Sequence, residues 1–338
     1  MAILKKLILA SVVGAVAVTG AFSWWSKAPV TTSGAPLAFT VTPGSGVGAA
    51  TQQIVAAGIP VNPVLFGLLA RFTGKSGRIK AGAYELKPNT SPRRLLDQLV
   101  RGEFAQESVT IIEGWTFRQM RQALAASPDL KHDSAALSDS ELMARIVPDA
   151  SDYKDKAPEG LFFPDTYLFA KGASDMQILR QAHVQLVAKL KAAWDARDPS
   201  LPYQNPYQAL VMASIVEKET GQKSERAMIA GVFVNRLRSG MLLQTDPTVI
   251  YGMGDKYAGK IRKKDLETDT PYNTYVRPGL PPTPIALPGL ESLAAALGPA
   301  RTDALYFVSR NDGTSKFSDN LNDHNRAVNQ YQRGATTP

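Results

Sequence analysis

The stretch Ala213-Ser214-Ile215-Val216-Glu217-Lys218-Glu219-Thr220-Gly221 places two carboxylates at the end of an apolar run. Residues 210–216 are almost all apolar, which predicts a helix buried on nearly all sides and ended by Gly221 in a left-handed cap position. A carboxyl group at such an end loses water, which raises its pKa toward the range useful to a general acid near neutrality. Residues two apart point in different directions on a helix, so the spacing alone does not choose between Glu217 and Glu219.

Further motifs lie on both sides of this stretch. They are Glu159-Gly160-Leu161-Phe162-Phe163-Pro164-Asp165-Thr166-Tyr167, Ser224-Glu225-Arg226, residues 232–237, residues 240–252, Tyr272-Asn273-Thr274-Tyr275, residues 279–286 and His324-Asn325-Arg326-Ala327-Val328. In this order they resemble the endolytic murein transglycosylases, the YceG-like or MltG-type family, over residues 37–332. So many ordered motifs make a chance match very improbable.

The resemblance implies that Glu217, the first glutamate of Glu-Lys-Glu-Thr, is the catalytic residue. Glu219 is then expected to be structural, pairing with a nearby base or with the backbone. One position departs from the family pattern, because Ser315 stands where members usually carry the histidine of a Gly-x-His-x-Phe turn. This puts any role of that imidazole in question, although chemistry at a glutamate does not need it.

Five polar side chains are predicted to orient sugar rings next to the catalytic glutamate. Amide and phenol groups suit the recognition of N-acetyl and hydroxyl groups, and tyrosine faces can cover sugar rings. The alternatives are structural, since Asp-Pro could simply begin a turn and a tyrosine could belong to the core. The predicted substrate-binding residues are Gln244, Asp246, Tyr272, Asn273 and Tyr275.

Composition narrows the function classes. The chain has 338 residues, 44% of them hydrophobic, enough for two modest domains with proper cores. With no cysteine it cannot use thiol catalysis, zinc-thiolate sites or a lipid on an N-terminal cysteine, and three scattered histidines predict no metal site and no cofactor. The formal charge of +8 suits a phosphate- or carboxylate-rich surface, but basic and aromatic residues do not alternate as nucleic-acid binding would favour.

Residues 7–25 form an uncharged, mostly apolar segment behind Lys5 and Lys6, with Trp24 and Trp25 at its far end. As a helix the segment is about 28 Å long, enough to cross a bilayer core. The lysines favour a cytoplasmic N-terminus and the tryptophans suit the opposite interface, so the body would lie in the periplasm. A cleaved signal peptide is the competing interpretation, but the resemblance implies a single-pass inner-membrane protein.

The order of elements predicts an α+β protein. Strand, helix, helix, strand and helix follow one another in the first module, which is similar to the LysM-like module of the family and would either contact glycan or merely space the catalytic domain from the membrane. The predicted segments are a cytoplasmic N-terminus at 1–6, a transmembrane helix at 7–25, a linker at 26–36, a LysM-like domain at 37–107, a helix-rich YceG-like catalytic domain at 108–332 and a flexible tail at 333–338.

The resemblance implies cleavage of the MurNAc-GlcNAc bond of nascent peptidoglycan strands, leaving 1,6-anhydro-MurNAc ends and terminating strand elongation. Peptidoglycan strands and the membrane are the expected partners, with peptidoglycan synthases of the penicillin-binding class nearby. Two alternatives stay open. One is a hydrolytic muramidase that uses Asp246 or Glu219 as a second carboxylate to activate water. The other is a membrane-tethered scaffold that binds peptidoglycan without cutting it.

Overall fold

The structure is a computed structural model that describes residues 2–30 and 36–333, with the backbone alone at residues 2–4, 7–8 and 333. The chain divides into two compact units. Unit 1 comprises residues 1–108 and 168–173, and unit 2 comprises residues 109–167 and 174–338. The predicted linker 26–36 and tail 333–338 lie partly outside the described residues.

Unit 1 alternates helices with short strands. Its elements are α1 (Ala2–Lys27), β1 (Leu37–Val41), α2 (Val47–Ala56), α3 (Pro63–Phe72), β2 (Gly82–Leu86) and α4 (Pro92–Arg101), followed by β3 (Gln106–Thr110), which leads into unit 2. Strands β1 and β2 pair antiparallel, with Phe39 opposite Tyr84 and their rings stacked 5.4 Å apart. These two aromatic side chains, both buried, form one side of the core that helices α2 to α4 complete.

Local signals fix the ends of the helices in unit 1. The Asn62 side chain accepts hydrogen bonds from the first turn of α3, and Ser91 does the same for α4, each just before a proline at the first helical position. Gly102 ends α4 with φ 71°, a left-handed conformation that favours glycine. Helix α1 contains the predicted membrane segment, and its stretch Leu9–Lys27 is long and apolar enough to span a membrane.

Unit 2 is rich in helices. Its elements are α5 (Phe117–Ala126), β4 (Leu130–Lys131), α6 (Asp139–Ile146), α7 (Asp175–Asp195), α8 (Pro206–Glu219), α9 (Arg226–Arg238), α10 (Asp246–Met253), α11 (Lys263–Glu267), α12 (Leu290–Leu297), β7 (Tyr306–Ser309), β8 (Ser315–Ser318) and α13 (Leu321–Val328), with β5 (Thr166–Ala170) and β6 (Ala173–Ser174) where the chain passes between the units. Among the described residues the strands form four two-stranded sheets. The mixed helix-and-sheet class predicted from the sequence is therefore confirmed.

Helix α8 lies at the centre of unit 2, with all residues from Ala209 to Val216 buried. It packs against α7, α9, α10 and α12. The predicted end of this helix was wrong in one respect. Thr220 follows α8 in an extended conformation, with φ −141°, and Gly221 is not left-handed. Just after this end of the helix, the Thr220 hydroxyl accepts the N–H of Gln222 at 2.9 Å.

Candidate active site

Two carboxylates at the end of α8 face different surroundings. Glu217 follows the buried run directly, and Glu219 is the last residue of the helix. Two positions along a helix correspond to a turn of about 200°, so the two side chains leave the axis on nearly opposite sides. The two carboxylates therefore meet different neighbours.

Glu217 lies in a closed ion pair. Its Oε1 accepts a hydrogen bond of 3.0 Å from the guanidinium of Arg226, and its Oε2 accepts one of 3.0 Å from the backbone N–H of Gly289. The side chains of Glu217 and Arg226 are only 5% and 6% exposed. Both carboxylate oxygens are thus occupied by protein donors, away from bulk water.

The wall around Glu217 is tight. A Cβ added to Gly289 would come within 2.8 Å of both carboxylate oxygens of Glu113, so only glycine fits there without displacing that side chain. Burial raises the pKa of Glu113, and the nearby charge of Glu217 raises it further. Arg226 also lies 3.5 Å from the carboxylate of Glu291. Glu217 therefore belongs to a compact group of charges that pack α8 against α9 and α12.

Glu219 instead lines a cleft of about 1030 Å³ in unit 2. The hydroxyl of Thr245 donates a 2.6 Å hydrogen bond to its Oε2. Burial raises the pKa of Glu219, and the charge of Asp246 adds to that rise, while Thr245 and Arg236 act against it. A carboxyl group with a raised pKa that borders an open cleft has the properties of a general acid.

Three of the predicted substrate-binding residues line the same cleft, namely Gln244, Asp246 and Tyr275. The Tyr275 hydroxyl donates a 2.6 Å hydrogen bond to Asp246, and burial raises the pKa of that phenol. Gln244 adopts a left-handed conformation with φ 52°, which is unusual for a residue other than glycine, and its N–H is held by the carbonyl of Thr274. The structure thus brings Glu219 together with these three residues.

The other two predicted substrate-binding residues lie elsewhere. Asn273 is fully buried, its amide donates to the carbonyls of residues 265, 266 and 268, and its Oδ1 accepts the N–H of Tyr275. The Asn273 side chain thus makes its hydrogen bonds inside the loop that it shapes, and its contact with substrate stays a prediction. Tyr272 is outside the cleft lining, with its hydroxyl 3.0 Å from that of Thr283 and its ring against Tyr251.

Several residues line the cleft without having been assigned a role from the sequence. Arg236 is buried, with its guanidinium bound to the carbonyls of Leu243 and Leu305, each at 2.7 Å. The rings of Tyr306 and His324 stack with centroids 5.1 Å apart. Arg236 and His324 lie inside motifs that carry the resemblance, and this membership could have indicated that they belong to the site. Their partners lie in distant segments of the chain, so the local sequence did not reveal the contacts.

Ser315 also lines the cleft. Its backbone N–H and its hydroxyl donate to the two carboxylate oxygens of Glu225, at 2.7 and 2.8 Å. Ser315, at the position where the family usually carries histidine, thus lines the wall of the cleft and connects β8 to the start of α9 through Glu225. Its side chain is used in a structural contact.

Glu159 is a buried carboxylate of unit 2 that lies outside the cleft. It accepts hydrogen bonds from the N–H of Phe117 at 2.9 Å and from the hydroxyl of Tyr251 at 3.0 Å. Burial raises its pKa to about 7, although both hydrogen bonds act in the other direction. It links the motif at residues 159–167 to α5 and α10.

Comparisons with known proteins agree on one family. The sequence model of the YceG-like family matches residues 39–330. The chain is 34% identical over 282 residues to the endolytic murein transglycosylase of Bacillus subtilis strain 168, covering 79% of this chain and 76% of that protein. It is 27% identical over 316 residues to the endolytic murein transglycosylase of Streptococcus pneumoniae strain D39, covering 85% of this chain and 57% of the relative.

A solved structure is also similar. The crystal structure of a YceG-like protein from Listeria monocytogenes matches with a TM-score of 0.53 and 31% sequence identity, covering 87% of this chain and 99% of that chain. The shared fold therefore extends over both units.

Proposed function

This chain belongs to the YceG-like family, and from that premise we propose that it is an endolytic murein transglycosylase that cuts the MurNAc-GlcNAc bond of peptidoglycan. The observation that carries the proposal is the cleft beside Glu219. It combines one protonatable carboxyl with amide, phenol and carboxylate groups suited to sugar recognition. Its volume of about 1030 Å³ is ample for several sugar units.

The chemistry needs one carboxyl group acting twice. The protonated acid donates its proton to the glycosidic oxygen, the bond from that oxygen to C1 breaks, and positive charge develops at C1 of the MurNAc ring. The resulting carboxylate then takes the proton of the C6 hydroxyl of the same sugar, and O6 bonds to C1. The products are a free GlcNAc hydroxyl and a 1,6-anhydro-MurNAc end, and no water enters the bond.

We propose Glu219 for this role in place of Glu217, the residue predicted from the sequence. A general acid has to reach the substrate oxygen, and Glu219 borders the cleft beside Asp246 and Tyr275. Glu217 has both oxygens engaged by Arg226 and by the backbone of Gly289. The Glu217 assignment remains a prediction that paired variants can test.

Hydrolysis is the second candidate, and one observation favours it. Asp246 lines the same cleft and lies close enough for its charge to raise the pKa of Glu219. Two carboxylates flanking one bond are the usual equipment of a hydrolytic glycosidase, in which the second activates water or attacks the sugar. Against this, the Tyr275 hydroxyl already binds Asp246 and limits its freedom to act as a base.

Product analysis decides between these chemistries. Purified full-length protein is incubated with uncrosslinked glycan strands, and the products are separated and weighed by mass spectrometry. A 1,6-anhydro end is lighter than a reducing end by one water, so the two are resolved directly. We expect anhydro ends from the middle of strands. Reducing ends would establish the muramidase, and intact strands would establish the non-catalytic scaffold.

We further propose that α1 anchors the chain in the inner membrane, with units 1 and 2 in the periplasm. The apolar stretch Leu9–Lys27 and the preceding Lys5 and Lys6 support this orientation. Full-length protein should then stay in the membrane fraction after a high-salt wash. A soluble mature form that begins near Phe22 would contradict the anchor and establish a cleaved signal peptide.

Unit 1 is proposed to act as a LysM-like module that contacts glycan. The succession β1, α2, α3, β2 and α4 supports this assignment. A membrane-anchored enzyme with such a module would meet nascent strands as synthases release them. Binding of full-length protein to insoluble peptidoglycan, compared before and after charge substitutions on unit 1, tests whether the module contributes affinity or only spacing.

A further inference from the structure

Helix α3 in unit 1 is apolar on its outer side as well as on its inner side. Its sequence, PVLFGLLARF, contains a single charged residue, Arg71. The inward side chains of Phe66 and Leu69 are buried in the core of unit 1. On the outward side, Val64 is 71% exposed and Phe72 is 74% exposed. A surface helix normally carries polar residues on its outward side. The apolar residues on the outward side of α3 therefore indicate that this side contacts an apolar environment.

The position of Phe72 indicates what that environment is. The Phe72 ring meets the ring of Phe22 edge-on, with centroids 6.0 Å apart. Phe22 lies within the stretch of α1 that is long enough to span a membrane, five residues before its end at Lys27. Five residues of helix correspond to about 7 Å. Phe72 therefore lies beside the last turns of the candidate span, on the bilayer side of the point where the span ends at Lys27.

This placement is fixed by packing within unit 1. Phe22 and Trp25 of α1 pack against the buried core of unit 1, and their rings are 5.8 Å apart. Helix α1 also contacts α4. The end of the span is thus part of the folded module. If α1 crosses the bilayer, α3 has to lie at the bilayer surface.

The charges near α3 suit a phospholipid surface. Arg71 is exposed in its last turn, and the segment 73–80 that follows carries Lys75, Arg78 and Lys80 without an acidic residue. Lys75 pairs with Asp97, whereas the side chains of Arg71 and Arg78 lie at the exposed surface. Apolar side chains flanked by bases are the composition of a helix that rests in the interface of an anionic membrane.

We propose that the outward face of α3, defined as the exposed Val64 and Phe72 with the half-buried Leu68 between them, inserts into the headgroup boundary of the leaflet that α1 leaves, and that Arg71 and Arg78 bind anionic headgroups there. The inference rests on the proposed anchoring by α1. Unit 1 then has a membrane-facing side, and any glycan that it contacts meets the module from the other sides. The occupant of this face is lipid, and a second protein covering it is an alternative that the experiment separates.

The chain has no cysteine, so single-cysteine variants can carry an environment-sensitive fluorophore without background. Full-length Phe72→Cys is labelled and reconstituted into vesicles of phosphatidylethanolamine and phosphatidylglycerol, with or without nitroxide lipids. Val16→Cys in α1 is the control within the span, and Val184→Cys, also a strongly exposed apolar position but in unit 2, is the matched control outside the face. We expect blue-shifted emission and strong nitroxide quenching at residue 72, as at residue 16, and neither at residue 184.

The outcomes are distinguishable. Quenching at residue 16 but not at residue 72 overturns the α3 proposal and leaves the anchor intact. Blue-shifted emission at residue 72 without quenching by nitroxide lipid also overturns it, because a protein then covers the face. Absence of quenching at residue 16 removes the anchor and the inference together. Replacing phosphatidylglycerol with a zwitterionic lipid should weaken quenching at residue 72 only. An unchanged signal at residue 72 would overturn the proposed contact of Arg71 and Arg78 with anionic headgroups.

Discussion

Glu217 and Glu219 are two residues apart on one helix, yet their surroundings differ in kind. Glu217 meets a guanidinium and a backbone N–H in a space with almost no access to water. Glu219 meets a threonine hydroxyl at the edge of a cleft that is large enough for substrate. The helix supplies both carboxylates equally. Their surroundings differ because α9 and α12 face Glu217, whereas the segment before α10 faces Glu219.

In our proposal, this difference separates a carboxylate that stabilises the fold from one that takes part in catalysis. A buried carboxylate fully paired with an arginine holds elements together and is costly to disturb. A half-buried carboxylate with a raised pKa and an open side can give and take a proton. Substitutions of Glu217 and Glu219 test this separation, because one should change mainly stability and the other mainly activity.

The largest effect is expected for Glu219→Gln. Glutamine keeps the shape and can still accept the hydrogen bond from Thr245, but it cannot donate an acidic proton or recover one. General acid-base catalysis contributes about 10² to 10⁴-fold, and here one residue serves in both steps. The rate of 1,6-anhydro product formation should therefore fall by at least about 10³-fold, measured by mass spectrometry with the unfolding midpoint unchanged or raised.

The matched variant Glu217→Gln should act on stability. It leaves the guanidinium of Arg226 buried without its main partner, which costs about 3–5 kcal/mol in the free energy of unfolding. Denaturant unfolding measures this loss. The protein that remains folded should still form anhydro ends. A stable Glu217→Gln protein without product would reverse the comparison and restore the assignment made from the sequence.

Adding Arg226→Met to Glu217→Gln provides a control. When both charges are removed, no unpaired guanidinium is left buried, so the double variant should be more stable than Glu217→Gln alone. If the two substitutions are merely additive, the ion pair does not carry the stability assigned to it.

The ends of helices depend on neighbouring residues, whereas the surroundings of the two carboxylates depend on distant ones. Asn62 and Ser91 cap the starts of α3 and α4, and Gly102 ends α4 in a left-handed conformation, so these helix ends are set by residues next to the helices. The partners of Glu217 and Glu219 include Gly289 and Thr245, which are distant along the chain. Helix periodicity cannot reveal which distant segment faces which side.

The same limit applies to Asn273. An Asn between two tyrosines reads equally well as a sugar ligand or as the anchor of a loop, because an amide suits both uses. Only the folded loop shows that the carbonyls of residues 265, 266 and 268 surround it. Gln244, Asp246 and Tyr275, which were also predicted to contact substrate, line one cleft.

Glu159 extends the comparison to a buried carboxyl outside the cleft. Burial raises its pKa from 4.5 to about 7, so between these values the folded chain holds a proton that the unfolded chain has lost. Stability is then fully present below about pH 4.5 and is lost as the pH rises to about 7, by an amount on the order of 3 kcal/mol. Glu159→Gln should remove this dependence and be the more stable protein above pH 7.

Unfolding by denaturant at several pH values between about 4.5 and 8 measures the effect, with Glu267→Gln as the control at an exposed position. The difference between Glu159→Gln and the unaltered chain isolates this residue from Glu219, whose pKa is also raised. A Glu159→Gln protein that keeps the full pH dependence would show that Glu159 contributes none of it, because the hydrogen bonds from Phe117 and Tyr251 then cancel the effect of burial on its pKa.

The smallest effect is expected at Ser315, where the family usually carries histidine. Ser315→Ala removes the hydroxyl that donates to Glu225 at 2.8 Å, but the backbone N–H of the same residue still donates at 2.7 Å. Losing one of two hydrogen bonds to a carboxylate should lower the free energy of unfolding by about 1–2 kcal/mol. Formation of anhydro ends should stay within about tenfold of the original rate, because the wall keeps its backbone contact. Activity as low as that of Glu219→Gln would instead place the Ser315 hydroxyl in the chemistry, and the cleft would then contain a second essential group that the comparison of the two glutamates leaves out.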